Sequence, residues 1–206
     1  MIVLLTSCNR FSYNFPNYSY DNLAINKGIN ANSTYILNAT KEYTDKGLRS
    51  KNMPEVVGYF KKRLNQNLII KKDLKDNRGK YVLPFDIPYK VSKQDLTFLK
   101  EATNLDFLIL SKIEYLELLN KESLSQKNKV RLFSALSGAI ATIKIIDLQN
   151  NEVVLEMSCT ASVGDSQTAF PEVDEFGIEE LESIPIYKSA VTLGKKAMKR
   201  LLKKIN

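Results

Sequence analysis

Ala141-Thr142-Ile143-Lys144-Ile145-Ile146-Asp147-Leu148-Gln149-Asn150-Asn151-Glu152-Val153-Val154 is the stretch on which the fold turns. Aliphatic and β-branched residues run up to Leu148, give way to Gln149, Asn150, Asn151 and Glu152, and resume at Val153. The pattern predicts a long strand over 138–148, a turn over 149–152, and a strand over 153–161 that pairs back antiparallel. Upstream, Asp106-Phe107-Leu108-Ile109-Leu110 opens another apolar strand that continues to about Leu118. Its near-continuous hydrophobicity predicts burial on both faces.

Helices are read on either side of this core. Ser92 is placed to cap a helix over 93–103, with Leu96, Leu99, Phe98 and Ala102 turned inward and Asn104 ending it. Asn52 or Ser50 can cap another over 54–66, with Pro54 in its first turn. Val56, Val57, Phe60 and Leu64 form its apolar side, and Lys61, Lys62 and Arg63 its wet side. Tyr35-Ile36-Leu37 and Leu68-Ile69-Ile70 read as short strands, and 75–92 as a loop with one short extended piece. Residues 120–129 are polar and lysine-rich, which suits a hairpin loop. A last helix spans about 185–205. Its stripe is Ala190, Val191, Gly194, Ala197, Met198, Leu201, Leu202 and Ile205, and the small residues early in it allow close approach to a sheet.

The expected class is therefore α/β (α+β), a single compact domain over 34–206. Its mixed sheet of about four or five strands is packed by three helices in the order β-α-β-α-β-β-β-α. This arrangement resembles the α/β domain shared by the TolB amino-terminal domain, the curli-secretion lipoprotein family and the lipoprotein activator of penicillin-binding protein. Ala102-Thr103-Asn104-Leu105-Asp106-Phe107-Leu108-Ile109 is similar to the Gly-Ala-Asp-like approach to a strand in those families. The hairpin over 141–154 is similar to their hydrophobic strand followed by Asp and Thr-Gly-Glu. Asn151 stands where they have Gly, and Asn tolerates a left-handed backbone. The resemblance implies action by binding and brings no catalytic residues.

The amino terminus carries a second resemblance. Leu5-Thr6-Ser7-Cys8 looks like a bacterial lipobox, which implies that Cys8 is diacylated on sulfur and becomes the first mature residue. Only Ile2 to Leu5 precede it as an apolar run, without Lys or Arg. A signal needs a basic start and a longer run, so the expected translation start lies upstream of Met1 and 1–7 is a signal remnant. The competing reading is a small buried Cys in an amino-terminal strand. Residues 8–33 are rich in Asn, Ser and Tyr and read as a tether from the lipidated Cys8, with Phe11, Tyr13, Phe15, Tyr18 and Tyr20 expected to dock on the domain. No acidic residue precedes Asp21, which by the same resemblance favours the periplasmic face of the outer membrane. Cys159 reads as a buried thiol, and an acylated Cys8 leaves it no disulfide partner.

Composition excludes several chemistries. The 206 residues include no His and two Cys. No Ser-His-Asp triad, Cys-His pair, zinc site or iron–sulfur cluster can be assembled from them. No cofactor, no resident metal and no enzymatic activity is expected. The net charge of +7 is unevenly distributed. Seven acidic residues and no basic one fall in 165–182, within an acidic segment over 164–184 read as an exposed loop. Seven basic residues and no acidic one fall in 183–206: Lys188, Lys195, Lys196, Lys199, Arg200, Lys203 and Lys204. Residues 41–80 are a second basic stretch.

The carboxy-terminal basic face has three readings: a solvated outer face of a sheet-packed helix, partly neutralised by the acidic loop before it, which is preferred; a surface for anionic lipid, peptidoglycan or an envelope partner; or a phosphate-neutralising surface for nucleic acid. The lysines are not interleaved with aromatics in sequence, which disfavours nucleic acid. Asp147 and Glu152 flank a turn, and turn formation explains them better than a paired-carboxylate site. The expected function is a non-enzymatic, lipid-anchored adaptor or assembly protein of the cell envelope. The alternative is a soluble cytoplasmic nucleic-acid-binding module.

Overall fold

A computed structural model describes residues 15–25, 29–44, 46–82, 87–116, 135–164 and 188–205. The hairpin that opens the sequence reading is its backbone. It joins β7, Ala135–Asp147, to β8, Glu152–Gly164, each 13 residues and about 40 Å long. Asp147 builds the turn: its Oδ1 accepts from the Gln149 and Asn150 amides at 2.8 and 3.1 Å, and its Oδ2 accepts from the Asn150 side chain at 2.9 Å. Asn151 takes φ 56°, the left-handed conformation its side chain tolerates. A Val at this position is expected to cost about 1–2 kcal/mol in urea unfolding, whereas Gly should be neutral within about 0.5 kcal/mol.

The fold is α+β, one mixed sheet of eight strands with three α-helices among the described residues. The remaining strands are β1 (Asn17–Ile25), β2 (Tyr35–Leu37), β3 (Thr40–Thr44), β4 (Gly47–Lys51), β5 (Leu68–Ile70) and β6 (Phe107–Tyr115). The helices are α1 (Pro54–Leu64), α2 (Lys93–Ala102) and α3 (Ala190–Leu202). The hydrogen-bonded order is β1-β8-β7-β6-β2-β5, with β3 continuing alongside β6 beyond β2 and β4 pairing with β3. The sheet is thus larger than the four or five strands expected.

Chain handedness explains where the helices lie. The crossover from β2/β3 through α1 moves to β5 on one side of β2. The crossover through α2 returns to β6 on its other side. Right-handed crossovers running in opposite directions put their helices on opposite faces. Accordingly α1 and α3 share one face, with Val56, Phe60, Leu64, Leu193, Ala197, Met198 and Leu201 packed on Ile109, Ile113, Ile143 and Met157. α2 covers part of the other, where Leu96 and Leu99 meet Ile36, Leu108, Leu110 and Ile146. β6 is buried on both faces over most of its length, as its composition predicts.

Local signals position the elements with some corrections. Ser92 and Asp95 form a reciprocal capping box on α2, with the Asp95 amide donating to Ser92 Oγ at 3.1 Å. Ser92→Ala is expected to lower stability by about 1 kcal/mol in urea titration. The helix α1 begins after Met53 without a side-chain cap, so neither Asn52 nor Ser50 serves. Ser50 instead lies in β4 and accepts from Lys41 Nζ at 2.8 Å. Here Pro54 starts the helix, since its missing N–H would be unpaired there in any residue. α3 starts at Ala190 rather than 185, with Ser189 as cap.

Part of the expected tether, 17–25, is strand β1, which pairs antiparallel with β8 along the sheet edge. Residues 1–14 and 26–28, and 165–187 with most of the acidic segment, lie outside the described residues. So does 120–129. The hairpin of β3 and β4 was also not expected. Its sequence is charged because β4 is exposed throughout, so no apolar alternation marks it.

Candidate functional site

The carboxy-terminal helix supplies the site. Its buried stripe is Leu193, Gly194, Ala197, Met198, Leu201 and Leu202, followed by Ile205. Val191, expected in the stripe, is exposed, and Leu193 takes the inward place. Gly194 is where the helix comes closest to the sheet. A Cβ there would stand 2.7 Å from Ile113 Cγ2 and 3.2 Å from Tyr115 Cε1. With this stripe inward, helix periodicity turns Lys195, Lys196, Lys199, Arg200, Lys203 and Lys204 outward, and all are exposed.

β1 completes the site from the other end of the chain. Its register sets Tyr18 opposite Ala161 and Tyr20 opposite Cys159, on the helix-covered face of the sheet. Both rings pack against the core beside α3. The Arg200 guanidinium lies 3.9 Å from the Tyr18 ring centroid, and Lys204 Nζ lies 5.6 Å from that of Tyr20. Such contacts contribute about 0.5–1 kcal/mol each at exposed sites and bias the two cations toward the rings.

Tyr18, Tyr20, Lys196, Lys199, Arg200, Lys203 and Lys204 line one open groove of about 480 Å³. No carboxylate lines it. The five cations span about 12 Å along the helix, at its carboxyl end, where their charge also offsets the helix dipole. Of the seven basic residues expected to form a surface, the structure thus gathers five. Lys188 precedes the helix cap, and Lys195 lies outside the groove lining. The aromatic partners were missed as part of this surface because they lie some 180 residues away in sequence; their spacing, Tyr18 and Tyr20, was the available signal.

Cys159 lies below the groove and is fully buried. Burial pushes its thiol up to about 11, against the opposing pull of Arg200 and of a hydrogen bond with Tyr20. It is therefore a protonated, unreactive thiol at neutral pH. The sign of its linkage is definite. The unfolded thiol loses its proton near 9.0 and the folded one near 11, so stability present below pH 9 is lost as pH rises through that window. Relative to Cys159→Ala, the wild-type protein is expected to lose an extra ~1.4 kcal/mol per pH unit there, measured by urea unfolding.

A second polar cluster sits on the opposite face of the sheet. Tyr89 donates its hydroxyl proton to Glu156 Oε1 at 2.9 Å, and Lys144 Nζ lies 3.2 Å from the same oxygen. Lys112 pairs with Glu114 at 2.6 Å. Both lysines also lie over the Tyr89 ring, at 4.8 and 4.6 Å from its centroid. Burial first, and then the Glu156 charge, push the phenol far above its ordinary range. A phenol held neutral and fully engaged is a clamp for the 87–91 segment, not a base. The sequence of this segment reads as loop, and nothing local in it signals the cluster.

The other carboxylates have structural roles. Asp106 Oδ2 accepts from the Thr34 amide and hydroxyl at 2.9 and 3.0 Å, tying the start of β2 to that of β6. Asp147 is occupied in its turn. No group of three or more candidate ligands capable of holding a metal occurs among the described residues. No described helix is long and apolar enough to cross a membrane. Cys8 and the residues before it, Leu5, Thr6 and Ser7, lie outside the described residues.

Neither a protein family nor a curated protein matches the chain. Among solved structures it is similar to a point variant of the PelC dodecamer from Paraburkholderia phytofirmans. The identity is 7%, the TM-score is 0.42, and the match covers 91% of this chain and 96% of that one. A second PelC dodecamer structure from the same organism gives 8% identity, a TM-score of 0.38, and coverage of 91% and 95%.

Proposed function

We propose that this chain is a non-enzymatic, lipid-anchored binding or assembly protein of the bacterial cell envelope, held through Cys8 and placed on the periplasmic face of the outer membrane. The anchor rests on Leu5-Thr6-Ser7-Cys8. The binding role rests on one structural observation: α3 and β1 together form a groove with five cations and no carboxylate. Cys159 is fully buried and the Tyr89 hydroxyl is engaged by Glu156, so neither is offered to a substrate. Two acyl chains suffice for stable anchoring, at about 0.8 kcal/mol per buried CH₂. Expression from the genomic locus with a labelled fatty acid should label the wild type and not Cys8→Ser; an unlabelled wild type would remove the anchor from the account.

Nucleic-acid binding is the second reading, since the groove combines tyrosines with lysines. Single-strand binding uses open aromatic faces on which bases stack. Here the Tyr18 and Tyr20 faces already carry Arg200 and Lys204, which disfavours that use.

A further inference from the structure

We propose that the α3/β1 groove is a docking surface for an anionic phospholipid bilayer, a second membrane contact beside the acyl anchor; this deepens the envelope reading above and rests on it. The shape of the charge comes first. Lys196, Lys199, Arg200, Lys203 and Lys204 face one open surface without a carboxylate among its lining. Two of them, Arg200 and Lys204, lie over tyrosine rings, which restrains them before any ligand arrives.

Aromatic rings share the groove with this charge. Tyr18 and Tyr20, the aromatics that line the groove with the cations, are of the type found at the headgroup level of membranes. Phe15, expected to dock on the domain, is instead 77% exposed two residues before β1.

Chain geometry then places the groove near the bilayer. Eight residues, or nine Cα–Cα steps, separate Cys8 from the start of β1 at Asn17. Fully extended, those steps reach about 30 Å, so a membrane-held Cys8 keeps the start of β1 within that distance of the headgroups. Lipidation is most effective when a chain is paired with a polybasic patch, and each basic residue at an anionic surface raises partitioning about fivefold.

The test uses the full chain with Cys8→Ser, so that no acyl chain contributes, and sucrose-loaded vesicles. Vesicles of phosphatidylcholine and phosphatidylglycerol at 3:1 are compared with pure phosphatidylcholine. Sedimented fractions should show binding to the anionic vesicles alone, weakening as salt rises. Lys196→Gln, Lys199→Gln and Lys203→Gln together, which leave both tyrosine stacks intact, should reduce binding about 100-fold. Lys72→Gln, Lys90→Gln and Lys93→Gln remove the same charge from exposed sites outside the groove and should change it less than about threefold.

Equal binding to both vesicle types would overturn the proposal. So would equal losses in the two triple variants, which would assign the effect to net charge. Tighter binding to soluble polygalacturonate than to anionic vesicles would do the same, and would make a glycan the occupant. Because the vesicle assay needs no acylation, it fails or succeeds independently of fatty-acid labelling, which judges the anchor alone.

Discussion

Gly194→Val is expected to lower the unfolding free energy by about 3 kcal/mol and to loosen α3 from the sheet. The close approach of helix and sheet at this residue is a consequence of size. Ile113, Tyr115 and Ala139 fill the space under Gly194, and an added Cβ would lie 2.7 Å from Ile113 Cγ2. Ile113 is fully buried and cannot retreat without displacing its own neighbours. Overpacking of this kind costs about 1–3 kcal/mol, and the branched valine side chain adds atoms where even one does not fit. Gly194→Ala should cost less, because its better helix propensity returns about 1 kcal/mol. Urea unfolding measures both, and a valine variant within 0.5 kcal/mol of wild type would mean the helix rides higher than described.

Tyr89→Ala carries the other large effect, a loss of about 3–5 kcal/mol. The ring is buried, with two lysines over it, and its hydroxyl donates to a carboxylate. Its removal opens a cavity and leaves Glu156 with only Lys144 of its two partners. Tyr89→Phe separates these contributions: it keeps the ring, removes one hydrogen bond, and should cost about 1.5 kcal/mol. The two variants also differ from wild type in alkaline behaviour. The folded phenol is raised above the ordinary 10, so its contribution is present below pH 10 and declines as pH rises above it. Tyr89→Phe should remove that part of the alkaline slope; an unchanged slope would show that the phenol is not buried as described.

The readable and unreadable parts of this chain differ in physical ways. The hairpin, β6 and α2 were legible because each has a strong local signal. Asp147 and Asn151 specify the turn, β6 is apolar on both faces, and Ser92 with Asp95 caps α2. The edges were not legible. β1 pairs on one side only and alternates tyrosine with Ser and Asp, so its composition passes for a tether. β4 is exposed along its whole length and shows no apolar period.

The basic half of the groove could be read from three-and-four spacing on α3. The aromatic half could not, because only the pairing of β1 with β8 brings Tyr18 and Tyr20 beside Arg200 and Lys204. A sequence pass for aromatics interleaved with lysines looks along the chain, whereas the sheet interleaves them across it.

The most direct test of an anchored envelope protein is the mass of its amino-terminal peptide, purified from membranes of cells that express the gene from its own locus. The account predicts a mature chain that begins at Cys8 and carries diacylglyceryl on sulfur and an acyl group on the amine. A peptide that retains Leu5-Thr6-Ser7 before an unmodified Cys8 would contradict it.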